Sequence, residues 1–158
     1  MDVHYSKLTD FDAWMALAKE VGPLFGLIAD EVAFQEALRQ AISNNAAFCI
    51  RPAPNGKDET LTGGIVVSKE SNEIAWFAVA SRYRRMRYGR QLIKFAISKL
   101  NRRETLFLHT FDEPVSEGKA ARRLYFEFGF TDYTNGGLNP AGVPTVIMQL
   151  AKSDSIGG

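Results

Sequence analysis

The apolar run IAWFAVA (Ile74–Ala80) ends in a cationic turn, RYRRMRYG, and an amphipathic stretch follows at once. Arg82, Arg84, Arg85, Arg87 and Arg90 crowd around Gly89 there. A strand that delivers backbone N–H groups and arginines to a helix N-terminus is built to hold a polyanion, a phosphorylated ligand foremost. The formal net charge is only +1. A local basic site in a near-neutral chain suits a small anionic ligand better than a long nucleic acid. Arg102, Arg103, Lys119, Arg122 and Arg123 add positive charge downstream.

Other chemistries are poorly supplied. The single cysteine, Cys49, excludes an internal disulfide and a cysteine-rich metal site, and within AAFCIRP it reads as a core thiol. His4 and His109 are the two histidines and do not make a metal site, although His109, near the end of LFLHTF, is placed to face a cleft. Trp14 and Trp76 read as core aromatics. The N-terminal stretch MDVHYSKLTDFDAW lacks an apolar signal core, and no apolar run is long enough to span a bilayer. We therefore expect no membrane partner and a reducing, cytoplasmic setting.

The elements that must position the basic turn follow from periodicity. Val3–Ser6 reads as a short strand; Thr9 or Asp10 caps a helix through Trp14 and Leu17 that ends near Gly22-Pro23. A second helix fits Asp30–Ile42. Ala46–Arg51 and Leu61–Ser68 form a hairpin about the turn Pro52–Asp58, and Gly63-Gly64 suggests a kink or bulge. The strand Glu73–Ala80 leads into the basic turn. From Tyr88, the residues Leu92, Ile93, Ala96, Ile97 and Leu100 share one helical face. Thr105–Thr110 is a strand, Lys119–Phe128 a helix, and a strand from Gly129 reaches about Thr134. A loop NGGLNPAG then leads to a last strand, Val143–Leu150. Strand and helix alternate in the middle of the chain, which implies parallel pairing there, with antiparallel hairpins at either end. The expected fold class is a mixed α/β single domain.

Two motifs on these elements resemble the GNAT superfamily of acetyl-CoA-dependent N-acetyltransferases. That family's pyrophosphate loop, Gln/Arg-x-x-Gly-x-Gly/Ala, lies between a central strand and a long helix; here the stretch is Arg84-Arg85-Met86-Arg87-Tyr88-Gly89. A family helix ends Ala-x-x-Leu-Tyr-x-x-x-Gly-Phe, matched without a gap from Ala121 to Phe130. The resemblance implies a central, mostly antiparallel sheet with a parallel pair at the cofactor cleft and roughly four helices. It also implies one acetyltransferase domain over residues 1–152, with 153–158 a frayed tail. Acetyl-CoA would be the cofactor, and the partner a small-molecule or peptide amine acceptor.

Acetyl transfer from a thioester needs a neutral amine, a donor for the developing oxyanion and a proton for the departing thiolate. The resemblance assigns the thiolate's acid to Tyr125 and the base to Glu73, with Asp112 and Glu113 as alternative carboxylates. It places the pantetheine arm against Phe77, Ala78 and Val79. The pyrophosphate falls on Arg84, Arg85, Met86, Arg87, Tyr88, Gly89 and Arg90, and a ribose phosphate within reach of Arg122 or Lys119. Two residues depart from the pattern: Arg87 replaces the loop's first glycine, and Gly118 stands where an asparagine is frequent. The acceptor wall falls on the segment from Gly22 to Asp30, where Phe25 and Leu27 are apolar and Asp30 and Glu31 can meet a cation. A catalytically silent acyl-CoA-binding module and, more distantly, a nucleic-acid-binding module are the other readings. An apolar face on the final hairpin would suit a homodimer.

Overall fold

The computed structural model describes residues 2–25, 28–52, 60–112 and 118–153. Seven strands form one sheet in the order β1-β2-β3-β4-β5-β7-β6. They are β1 His4–Tyr5, β2 Ala47–Ile50, β3 Gly63–Ser68, β4 Glu73–Val79, β5 Leu106–Phe111, β6 Thr131–Leu138 and β7 Pro144–Leu150. Four α-helices accompany them: α1 Phe11–Phe25, α2 Val32–Ser43, α3 Tyr88–Ser98 and α4 Lys119–Glu127. Neighbouring strands run antiparallel except β4 and β5, the parallel pair expected in the middle of the chain.

Side-chain alternation along the strands splits the apolar residues between two faces. On β2, Phe48 and Ile50 join Ile65, Leu92, Ile93, Leu106, Leu108 and Tyr125 under α3 and α4. Ala47 and Cys49 point the other way, into a cluster with Trp14, Leu17, Leu38 and Ile42 from α1 and α2. Trp14 is fully buried, and its indole N–H donates to Ser6 Oγ at 2.9 Å. This closes the layer that α1 and α2 form over one half of the sheet.

Several boundaries differ from the sequence reading. Helix α1 runs past Gly22-Pro23 to Phe25. The glycine pair Gly63-Gly64 marks no bulge. A methyl on Gly64 would lie 2.4 Å from the Trp14 ring, and one on Gly63 2.8 Å from Leu92, so both glycines clear room for large core side chains. The irregularity falls instead between Val66 and Val67, where the partners are Trp76 and Ile74, leaving Ala75 as the extra residue of β4. Strand β6 continues to Leu138, through residues read as a loop. It pairs with β7 across two register shifts, at Asp132/Thr134 and Asn135/Gly137. Most of the turn Pro52–Asp58 lies outside the described residues, as do Leu27 and Glu113. Phe25 ends α1, but its side chain is not described.

One asparagine fixes where the sheet opens. Asn72 is buried and holds φ 52°, a left-handed conformation that asparagine tolerates better than most residues. Its side-chain amide donates to the carbonyls of Asn101 and Thr105 at 2.9 and 3.0 Å, and its oxygen accepts from Asn101 N–H at 2.8 Å. The turn before β4 is thereby tied to the turn before β5. The two strands pair only at Glu73↔Phe107 and Ile74↔Leu108, and beyond that point they diverge.

Candidate active site

The divergence of β4 and β5 opens a cleft through the sheet, a cavity of about 780 Å³. Its walls are the free halves of the two strands, the arginine turn with the start of α3, helix α4, and the β6–β7 hairpin. The Ala75 bulge sets what β4 presents to it. Ala80 N–H donates to Thr62 O at 2.9 Å, toward β3. By strand alternation the backbone of Ala78 also faces β3, whereas the peptide groups of Phe77 and Val79 face the cleft. Ala78 therefore lines the cleft but does not offer its N–H to it. Of the three residues expected on this strand, Phe77 and Val79 therefore turn their peptide groups to the cleft and Ala78 turns its own to β3.

At one end the loop after β4 curls before α3. Arg85 and Arg87 hold φ 66° and 68°, turns that make successive N–H groups converge. Arg87 caps α3, and the first helical hydrogen bond runs from Gln91 N–H to Arg87 O. The N–H groups of Tyr88, Gly89 and Arg90 thus have no acceptor within the helix. Arg84 donates through Nε to Val79 O at 3.3 Å. Arg90 pairs with Glu127. Gly89 has a steric reason to be glycine: a methyl there would lie 3.1 Å from Phe77 Cζ and 3.3 Å from Leu124 Cδ2. The helix start is seated tightly between β4 and α4.

Tyr125 lies on the α4 wall of the same cleft, buried and flanked by Phe77 and Phe130 with ring centroids 6.1 and 6.0 Å away. Burial raises the pKa of its hydroxyl well above the ordinary tyrosine value, so it stays protonated at neutral pH. Gly118, before α4, is pressed against Phe111: a methyl would sit 2.6 Å from Phe111 Cβ. An asparagine there would need Phe111 to move, which accounts for the departure at this position.

On the other face of the sheet the cleft is bounded by Val21, Trp76, Tyr83, Leu138, Asn139 and Thr145. His109 projects into this half, since alternation along β5 puts it opposite the core residues Leu106 and Leu108.

A family model for the acetyltransferase (GNAT) family matches residues 13–130. The chain belongs to the acetyltransferase (GNAT) family. No curated protein sequence gives a significant match, but solved structures of the fold are numerous. A GNAT-family acetyltransferase from Bacillus cereus ATCC 10987 superimposes with a TM-score of 0.72 at 13% identity, covering 96% of this chain and 97% of that one. Ard1 from Thermoplasma volcanium gives 0.71 at 18% identity, with the same coverages of 96% and 97%. The PaiA N-acetyltransferase from Thermoplasma acidophilum, solved in complex with coenzyme A, gives 0.68 at 14% identity over 95% and 98% of the chains. Identities this low establish the shared fold and no more.

Against this GNAT frame the expected site residues divide. Phe77, Val79, Arg84, Arg85, Arg87, Tyr88, Gly89, Arg90 and Tyr125 come together around one cleft. Met86 belongs to the loop but is exposed and off the cleft wall. Arg122 is buried beneath α4, with its guanidinium forked onto Asp132 at 3.0 and 3.1 Å; the cleft instead receives its neighbour Arg123. Glu73 sits where β4 and β5 are still paired, accepting from Ser71 Oγ at 3.0 Å, and it is not on the cleft wall. The residues that sequence reasoning missed, Gly136, Leu138, Asn139 and Thr145, come from the final hairpin. Its Gly-Gly pair was the available signal, and it was read as a loop.

Proposed function

We propose that the chain is an N-acetyltransferase that moves the acetyl group of acetyl-CoA to a primary amine by direct attack in a ternary complex. The observation that carries this reading is the joining of three features in one cleft: converging N–H groups with arginines, a free strand edge, and a protonated tyrosine. The cavity has the size range of cofactor sites. The tight seat at Gly89 brings the start of α3 close to β4, where a pyrophosphate would meet N–H groups and the helix dipole together. The coenzyme A bound by the related PaiA fold supports the same assignment.

When bound, acetyl-CoA supplies an activated thioester carbonyl and a sulfur leaving group. Phe77 or Val79 N–H donates to the carbonyl oxygen, where negative charge develops. His109, on the acceptor side, takes the proton lost by the attacking amine as the C–N bond forms. Tyr125 donates its hydroxyl proton to the sulfur as the C–S bond breaks, and solvent restores both groups. His109 replaces Glu73 as the base in this scheme because the imidazole is in the cleft and the carboxylate is not. The acceptor is a small-molecule or peptide amine whose remaining surface is apolar or aromatic, to match Val21, Trp76, Tyr83 and Leu138. The reducing cytoplasm, where acetyl-CoA and free thiols coexist, is the setting that fits.

The test is thiol release from acetyl-CoA with a panel of aromatic, alkyl and peptide amines. Tyr125→Phe and His109→Ala should each lower kcat about a hundredfold, while the dissociation constant for coenzyme A stays within about twofold. Saturable binding of acetyl-CoA without turnover of any amine would replace this reading with the silent acyl-CoA-binding module.

A further inference from the structure

Gly136 has no conformational reason to be glycine. Its neighbour Gly137 needs one, at φ 77°, whereas the backbone at 136 lies outside the left-handed region. What excludes a side chain is space. Gly136 is the extra residue of the second β6 bulge, between Asn135↔Val146 and Gly137↔Thr145. A methyl built on it would lie 2.4 Å from Thr145 Oγ1, 2.9 Å from His109 Cδ2 and 3.0 Å from His109 Nε2. These neighbours differ in their freedom to yield. Thr145 is buried, and its hydroxyl donates to Gly137 O at 2.9 Å, so it braces the bulge itself. His109 is exposed toward the cleft, and rotation about its χ1 moves the whole ring.

We infer that Gly136 is a positioning residue: the bulge in β6, pinned by Thr145, forms the seat that holds the His109 imidazole against the acceptor side of the cleft. Bulges commonly re-aim a strand beside a site, and here the bulge brings bare backbone to within van der Waals reach of the ring. The inference rests on the proposed role of His109 for its catalytic consequence, but the seating is a property of the folded protein alone.

The two can therefore be tested apart. The chain has only two histidines, and His4 lies on β1 at the far edge of the sheet, so it serves as an internal reference. In a proton–carbon correlation spectrum, Gly136→Ala should displace or broaden the His109 imidazole cross-peak and leave that of His4 in place. In the acetylation assay the same variant should lower kcat about tenfold, with little change in coenzyme A affinity. Built into His109→Ala it should add no further loss, because the two positions act as one unit.

A folded Gly136→Ala protein with an unmoved His109 signal would overturn the seat. So would losses at the two positions that simply multiply. Inactivity of the native protein toward every amine would sink the catalytic reading and leave the spectral test standing. Should Gly136→Ala not fold, Thr145→Val serves instead: removing the hydroxyl that braces Gly137 should shift the same cross-peak to a smaller degree, and an unmoved peak would again refute the seat.

Discussion

Arg87 stands where the family pattern has glycine, and the structure explains both the pattern and the departure. The loop needs a left-handed residue immediately before α3, and Arg87 adopts it at φ 68°, ψ 9°. For a residue with a Cβ this conformation costs roughly 1–2 kcal/mol. Glycine would remove that strain but would also lose more chain entropy on folding, roughly 0.5–1 kcal/mol. The two effects nearly offset each other, so Arg87→Gly should leave the melting temperature unchanged or slightly raised. Binding is the sharper readout. The Arg87 side chain lines the cleft beside the converging N–H groups, where a guanidinium pairs well with phosphate. The dissociation constant of coenzyme A, measured by calorimetry, should rise about fivefold in Arg87→Gly. Tighter binding in the variant would show instead that the side chain obstructs the loop.

At the scale of elements, the cleft depends on where β4 and β5 stop pairing, and Asn72 sets that point. Asn72→Ala deletes three part-buried hydrogen bonds and leaves the backbone groups of Asn101 and Thr105 without this partner. The loss should be about 2–4 kcal/mol, measured by denaturant unfolding. Asn72→Gly keeps the left-handed turn at ease, and its loss should be smaller by about 1 kcal/mol. Equal losses would mean that the backbone conformation matters little there. This clamp was not legible in the sequence, because the groups it joins are distant along the chain and asparagine before a strand reads only as a turn. The strand-to-helix junction from Glu73 to Leu100 was legible, since its apolar run and helical stripe are local signals. The bulge at Ala75 was not: the run IAWFAVA is apolar on both faces and hides the change of phase that turns Phe77 and Val79 toward the cleft. The Gly-Gly pairs misled for a related reason. Gly63-Gly64 looked like a bulge and is a packing accommodation, while Gly136-Gly137 looked like a loop and is a bulged strand. From sequence alone, a glycine does not reveal whether backbone conformation or a neighbour's side chain demands it. Glu73 and Arg122 were placed by motif position, but the first lies at the closed end of the strands and the second points under its helix.

At the scale of the molecule, two helical layers clamp one sheet, and the layer of α1 and α2 is tied to the sheet by an ion pair as well as by its apolar cluster. Asp10, in the short 3-10 turn before α1, accepts from Arg51 at the end of β2, Oδ1 from Nε at 2.9 Å and Oδ2 from Nη2 at 2.7 Å. Lys7 N–H donates to the same carboxylate at 2.8 Å. Burial alone would push the Asp10 pKa up, but the Arg51 hydrogen bonds and the Lys7 N–H outweigh it, and the net shift is downward from 3.8. A carboxylate with a depressed folded-state pKa contributes stability that is present above its unfolded pKa and is lost as pH falls through the folded one. In the native protein the melting temperature should therefore decline below about pH 4, in part through Asp10. Asp10→Asn keeps the shape and removes the charge. At neutral pH it should lose about 1–2 kcal/mol, a figure held down by solvent screening at the partly exposed Arg51. Its acid limb should be shallower, so that the two melting curves converge as pH falls through the depressed folded-state pKa of Asp10. A constant gap between native and variant protein across that range would mean that the pair contributes hydrogen bonds but no net charge effect. The α1–α2 layer would then be held to the sheet by the Trp14 cluster and by hydrogen bonds, with no electrostatic contribution from the pair.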